Sequence, residues 1–258
     1  MGTTTSRDGQ RPDFSPNQMI THLARESNLK SSLRGMLTRN ARLNRIYSEN
    51  AVDRARDFVP TFYTEPLMHG EEPYHCPSGW RRYSLYIGLT EKEFQQKYDS
   101  WPVAYHGTSS TAAADIIVNG VQACNNGDAC FIEKFEKAVF LTPSIKYAGH
   151  PRYARVEKVG KLYVQLVLQV RVKRSGVKKN PGTVEETFSK DDCVDSNFKD
   201  NNELEWVFLW NKKTKIRGDD GIVVYGVMAR ITETDPQFLP ENQWWEESRE
   251  RLAWDSYA

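Results

Sequence analysis

Two short segments carry residue types that could do chemistry on a sugar. The first is Trp101-Pro-Val-Ala-Tyr-His106-Gly107-Thr108, an apolar strand running into an imidazole, a glycine and a hydroxyl. The second, about a hundred residues later, is Glu203-Leu-Glu205-Trp206, which opens the apolar run from Leu204 to Trp210. An imidazole can donate to a hydroxyl, and a residue without Cβ lets a ligand approach the main chain. A carboxylate can stabilise the positive charge that builds on a ribose as a bond to it breaks. Glu205 is the first candidate for that role. Glu203, two residues earlier on the expected strand, shares its face and is the alternative.

Between these segments lies Ala138-Val-Phe140-Leu-Thr-Pro-Ser144-Ile-Lys-Tyr147-Ala, which reads as a strand leading into a helix. Tyr147 offers a flat ring for packing, and Ser144 offers a hydroxyl that can accept from or donate to an amide. Tyr153, in His150-Pro-Arg-Tyr, competes with Tyr147 as the stacking ring. Each feature also has a plainer account. His-Gly can be a turn, the aromatics can be core, and the glutamates can be rim carboxylates.

The elements that must position these residues follow from periodicity and capping. Apolar residues from Met19 to Ile46 recur at three- and four-residue intervals, so Pro16 to about Phe58 reads as helical, with Ser15-Pro16 as its start. Pro60 to Gly79 reads as an irregular connector. Trp80 to Leu89 alternates as a strand, and Thr90 caps a helix reaching Tyr98. A helix over Ser109 to Asn119 stops at Gly120. Lys161 to Lys173 is a long strand with Leu162, Val164, Leu166, Leu168, Val170 and Val172 on one buried face, and Tyr163, Gln165, Gln169 and Arg171 opposite. Lys178 to Asn202 reads as a polar loop, Gly221 to Ile231 as a strand, and Pro240 to Tyr257 as a short helix bearing Trp244, Trp245 and Trp254.

Composition bounds the reading. The 258 residues carry 35 Lys+Arg against 34 Asp+Glu, a net charge of +1 that gives no global pull toward nucleic acid. Residues 1–59 form a modestly basic arm, with ten Lys+Arg against six acids. Apolar residues make up 39%, and no run is long enough for a transmembrane helix. No secretory signal is visible, so the expected location is intracellular, cytoplasmic or nuclear, with Cys76, Cys124, Cys130 and Cys193 as free thiols. Met1-Gly2 with Ser6 fits an N-terminal acylation pattern. No metal-ligand spacing, Gly-x-Gly-x-x-Gly or phosphate loop occurs.

The order His106-Gly107-Thr108, then Phe140 to Tyr147, then Glu205 resembles the His-Tyr-Glu branch of the ADP-ribosyltransferases, the group of the poly(ADP-ribose) polymerase catalytic domains and diphtheria toxin. The resemblance spans residues 80 to 232. It implies an α+β fold of split antiparallel β-sheets flanked by helices, with an N-terminal helical extension. The expected division is a disordered tail at 1–16, the extension and connector at 17–79, and the catalytic domain at 80–258. It also implies NAD as substrate, with His106 on the nicotinamide ribose and the Gly107 main chain on the carboxamide. Thr108 matches the small residue after His-Gly, Tyr147 stacks on nicotinamide beside Ser144, and Glu205 serves the transition state. Phe140 stands where the branch usually has its tyrosine, and its ring, lacking the hydroxyl, would form an apolar wall holding nicotinamide opposite Tyr147. The expected reaction is mono-ADP-ribosylation of a protein acceptor, with nucleic acid as an alternative acceptor reached through the basic arm. A catalytically degenerate NAD- or ADP-ribose-binding or protein-interaction module is the competing reading.

Overall fold

The computed structural model describes residues 15–24, 29–47, 67–125, 137–179, 194–199, 201–210 and 214–236. Chain capping sets the first elements. Helix α1 (Pro16–Leu23) begins where Ser15 and Gln18 exchange side-chain and main-chain bonds, with proline in the first turn. Helix α2 (Lys30–Arg39) follows. The helical spacing expected to continue through Ile46 gives way to a 3₁₀ turn (Ala41–Leu43) and strand β1 (Arg45–Tyr47), because this segment pairs with a sheet edge instead.

Part of the expected connector is a hairpin, β2 (Leu67–His69) and β3 (Glu72–Tyr74). Strand β4 (Trp80–Ser84) leads to helix α3 (Glu91–Tyr98), opened by a reciprocal Thr90–Glu93 cap. Strand β5 (Val103–Thr108) runs through His106 rather than ending there. Helix α4 (Ser110–Asn119) is capped by Ser109 and ends at Gly120. Then come β6 (Cys124–Asn125), β7 (Lys137–Leu141), the short helix α5 (Ile145–Ala148), β8 (Glu157–Val159) and β9 (Leu162–Val172). Strand β10 (Val177–Lys179) takes the start of the expected 178–202 loop. A 3₁₀ turn (Asn201–Leu204) precedes β11 (Trp206–Leu209), and β12 (Ile222–Thr232) ends the described fold. Residues 180–193, the tryptophan-rich tail and the acylation pattern lie outside the described residues, as do Cys130 and Cys193.

The protein is a mixed α+β fold with antiparallel sheets. One sheet runs β1-β4-β12-β9-β5, with β8 also on β9, and a second runs β10-β11-β7-β6. A principal core forms where Leu166, Leu168, Val170 and Val172 of β9 meet Met19, Ile20 and Leu23 of α1, Leu33 and Leu37 of α2, and Ala113 and Ile117 of α4. That core crosses the expected boundary at residue 80, since residues of the two N-terminal helices belong to it. The face of β9 expected to be polar and open is buried as well, with Gln165, Gln169 and Arg171 all covered. Gln165 is accommodated there by donating to the carbonyls of Gly149 and Ala154.

The shared core makes the N-terminal helices structural. Leu37→Ala is expected to destabilise the fold by about 2–5 kcal/mol, the cost of a buried leucine and its cavity. Denaturant unfolding of the two proteins measures this. Among the described residues no helix is long and apolar enough to cross a membrane, and no His, Cys, Asp and Glu group could hold a metal ion.

Candidate functional site at the seam between the sheets

The two sheets touch where Tyr105 of β5 exchanges main-chain bonds with Thr142, just past β7 (2.7 and 3.1 Å). One residue further along β5, the His106 Nδ1–H donates to the carbonyl of Phe140 at 2.9 Å. A carbonyl only accepts, so this bond fixes the proton on Nδ1. The ring thus takes the acceptor that continued pairing of β5 with β7 would need, and the sheets separate at that point.

The antiparallel ladder shows what this exposes. Val172 donates to Pro102 across β5 and β9, so Pro102, Ala104 and His106 turn their main-chain groups toward β9. Val103, Tyr105 and Gly107 turn theirs the other way, as the Tyr105–Thr142 bonds confirm. The N–H and C=O of Gly107 therefore face the opening seam, a donor and an acceptor side by side. On its other side Gly107 is closely packed. A Cβ there would lie 2.3 Å from the Ala148 carbonyl and 2.7 Å from Cβ of Tyr153.

Glu205 stands between the Asn201–Leu204 turn and β11, which lies beyond β7 from β5. Two strand spacings, on the order of 10 Å, separate β5 from β11. Trp206 pairs with Leu141 and Val207 with Phe140. Val139, Leu141, Trp206 and Phe208 join the principal core. By alternation, Phe140, Val207 and Glu205 share the opposite face.

Glu205 is 4% exposed. Its Oε1 accepts from the Tyr147 hydroxyl at 3.5 Å, and the Tyr147 and Tyr153 hydroxyls lie 3.2 Å apart. With Tyr147 donating to the carboxylate, Tyr153 is left to donate to Tyr147. The two tyrosines are thus partners in one chain of hydrogen bonds. Burial first, and then Tyr153 and Glu205, push the Tyr147 pKa far above its ordinary value, so this hydroxyl keeps its proton.

Short helix α5 sets this tyrosine. Ser144 caps it by accepting from the Tyr147 N–H (3.1 Å), while its hydroxyl donates to Asp195 at 2.7 Å. The Ser144 hydroxyl is therefore committed within the protein, in a residue only 1% exposed. Asp195 also accepts from the main-chain and side-chain nitrogens of Asn197, and Lys146 lies 3.8 Å away. Val194 and Leu204 pack against Tyr147, with Phe198 and Tyr153 beside them.

The structure thus brings the sequence candidates together in two groups joined by β7: His106 with Gly107 and Phe140, and Tyr147 with Glu205 and Tyr153. Thr108 is buried at the end of β5, aligned with Leu166. Glu203 falls on the 3₁₀ turn, not on a strand, and its carboxylate accepts from the Lys199 N–H. Asp195 escaped sequence reasoning because it sits in a polar stretch with no motif around it.

The histidines here share one electrostatic bias. Burial lowers the His106 pKa below 6.5, opposed by the bond to Phe140. Burial also holds His150 down to about 4, aided by Arg152, and His69 down to about 4, aided by Arg171. The unfolded chain, titrating near 6.5, binds protons in this window that the folded chain refuses. These groups therefore stabilise the fold fully above pH 6.5, and that contribution is lost as the pH falls toward 4. Thermal midpoints measured at intervals from pH 7.5 to 4 are expected to decline across that range. Replacing His150 with Gln should flatten the decline.

No protein-family model matches this sequence, and no curated protein matches it either.

Proposed function

We propose that this protein is an NAD⁺-dependent ADP-ribosyltransferase that modifies a protein side chain. The observation that carries this reading is the Gly107 N–H and C=O pair opening into the seam beside a neutral imidazole. A carboxamide offers the complementary acceptor and donor, so nicotinamide fits the pair by its own chemistry. The split of the sheets at that point agrees with an ADP-ribosyltransferase-like architecture.

In this reading His106, protonated on Nδ1, presents the lone pair of Nε2 and accepts from a ribose hydroxyl. Glu205 lies across β7 and stabilises the cationic ribose, with Tyr147 orienting its carboxylate. The bond between nicotinamide and ribose breaks with its electron pair leaving on the nicotinamide nitrogen. The acceptor's lone pair then forms the new bond, and its proton passes to Glu205. Phe140 serves through its main-chain carbonyl, a task that needs no phenolic hydroxyl.

A second reading is a non-catalytic module that binds NAD⁺ or ADP-ribose, and the burial of Glu205 and Tyr147 beneath Val194 and Leu204 favours it. Incubation of the purified protein with NAD⁺ labelled in the nicotinamide and adenylate parts separates the two. Release of nicotinamide with label retained on protein supports transfer. Saturable binding without release supports the module. The same experiment with single-stranded RNA added tests nucleic acid as acceptor, for which Arg34, Arg39, Arg42 and Arg45 supply charge near α2 and β1.

A further inference from the structure

A second polar site lies on the same central sheet, across β9, β12 and β4. Arg171 of β9 aligns with Val103, three residues before His106 along β5. Although it is only 3% exposed, its guanidinium meets only uncharged partners among the described residues: the Trp101 carbonyl at 2.6 Å and Nδ1 of His69 at 3.2 Å. Half-buried Arg82 of β4 donates to the Leu43 carbonyl at 3.2 Å. Both guanidinium carbons lie 6.0 Å from the ring centroid of Tyr225. Nε of Arg82, Nε of Arg171 and Oε1 of Gln169 are buried with no hydrogen-bond partner among the described residues.

The backbone is shaped to hold these cations inward. The ladder between β12 and β9 skips a residue between Val224 and Gly226, a bulge that falls on Tyr225. A Cβ on Gly226 would lie 3.1 Å from Cγ and Cδ of Arg82 and 3.4 Å from Oε1 of Gln169. Glycine there lets the arginine stem lie across the strand toward Gln169 and Arg171. Arginine side chains ordinarily extend their heads to water, and buried charges ordinarily find a partner of opposite sign. Here two cations converge on one ring without a carboxylate among their described partners.

We propose that Arg82 and Arg171, both beside the Tyr225 ring, form a binding site for the phosphate group of a small molecule. Guanidinium forks suit phosphate oxygens, and the buried, unpaired Nε–H groups are donors that an entering phosphate would satisfy. The partly exposed Tyr225 and Arg82 mark the side of entry.

Isothermal titration with inorganic pyrophosphate and with inorganic phosphate, at ionic strength matched with sodium chloride, tests this. Saturable binding is expected for at least one of them, weakened about tenfold or more by Arg82→Gln, the loss of one charge-assisted fork. Arg82→Lys, which keeps charge and stem, should lose less. Arg171→Lys provides a second variant should Arg82→Gln fail to fold. Glu205→Gln should leave this binding unchanged, which separates the site from the seam. Absence of saturable binding overturns the proposal. So does binding that survives both arginine changes, or binding that Glu205→Gln abolishes.

Discussion

Glu205→Gln is expected to lower nicotinamide release by 10²–10³-fold while leaving NAD⁺ affinity within a few-fold of the parent. The substitution keeps the shape of the side chain and one carbonyl-type oxygen that can still accept from Tyr147. It removes only the negative charge. If that charge acts where positive charge develops on the ribose, its loss falls on the transition state, so kcat drops and KM does not rise in step. A magnitude of this size matches the removal of one preorganised electrostatic contact in a water-poor site. Tyr147→Phe is the companion measurement. It leaves the charge but removes the hydroxyl that orients it, so its effect should be far smaller, near the ~1 kcal/mol of one hydrogen bond. Single-turnover assays on both variants check the ordering. A Glu205→Gln protein with parental turnover would remove the carboxylate from the reaction.

The elements with paired signals at their ends were legible in the sequence. Thr90, Ser15 with Pro16, and a serine at 109 or 110 with Gly120 each supply a cap or a stop beside a helical stretch, and each marks a helix boundary found in the fold. The period-two pattern of β9 was equally plain, but polarity misled on its second face. Gln165 and Arg171 are buried because main-chain carbonyls from distant segments receive them, and hydropathy carries no record of such partners. The Glu203–Glu205 pattern misled for a related reason. Leu204 leaves the strand to join Tyr147 and Val194 in a small apolar cluster, so tertiary packing overrides the local alternation. The seam itself had no local signature. It depends on one imidazole taking a carbonyl 34 residues away, an event that neither segment announces alone.

Gly107→Ala is expected to lower both stability and NAD⁺ cleavage, and the joint effect distinguishes a shaped site from an incidental glycine. The added methyl would meet the Ala148 carbonyl at 2.3 Å, with Cβ and C of Tyr153 at 2.7 and 3.0 Å. Two of these three atoms are backbone and the third is anchored to it, so no rotamer change relieves the overlap. Either β5 or the 148–153 turn must shift. Overpacking of this kind costs about 1–3 kcal/mol, and contacts this short place the variant at the upper end. For a protein of this size that corresponds to a midpoint lowered by roughly 2–4 °C for each kcal/mol. The same displacement reaches the chemistry by two routes. Moving Tyr153 disturbs its hydroxyl contact with Tyr147 and through it Glu205, while moving β5 shifts the N–H and C=O pair. Thermal unfolding and nicotinamide release measured on one preparation check this. A variant that loses stability but keeps parental turnover would show that glycine at 107 serves packing alone, and the carboxamide would then have to be held elsewhere.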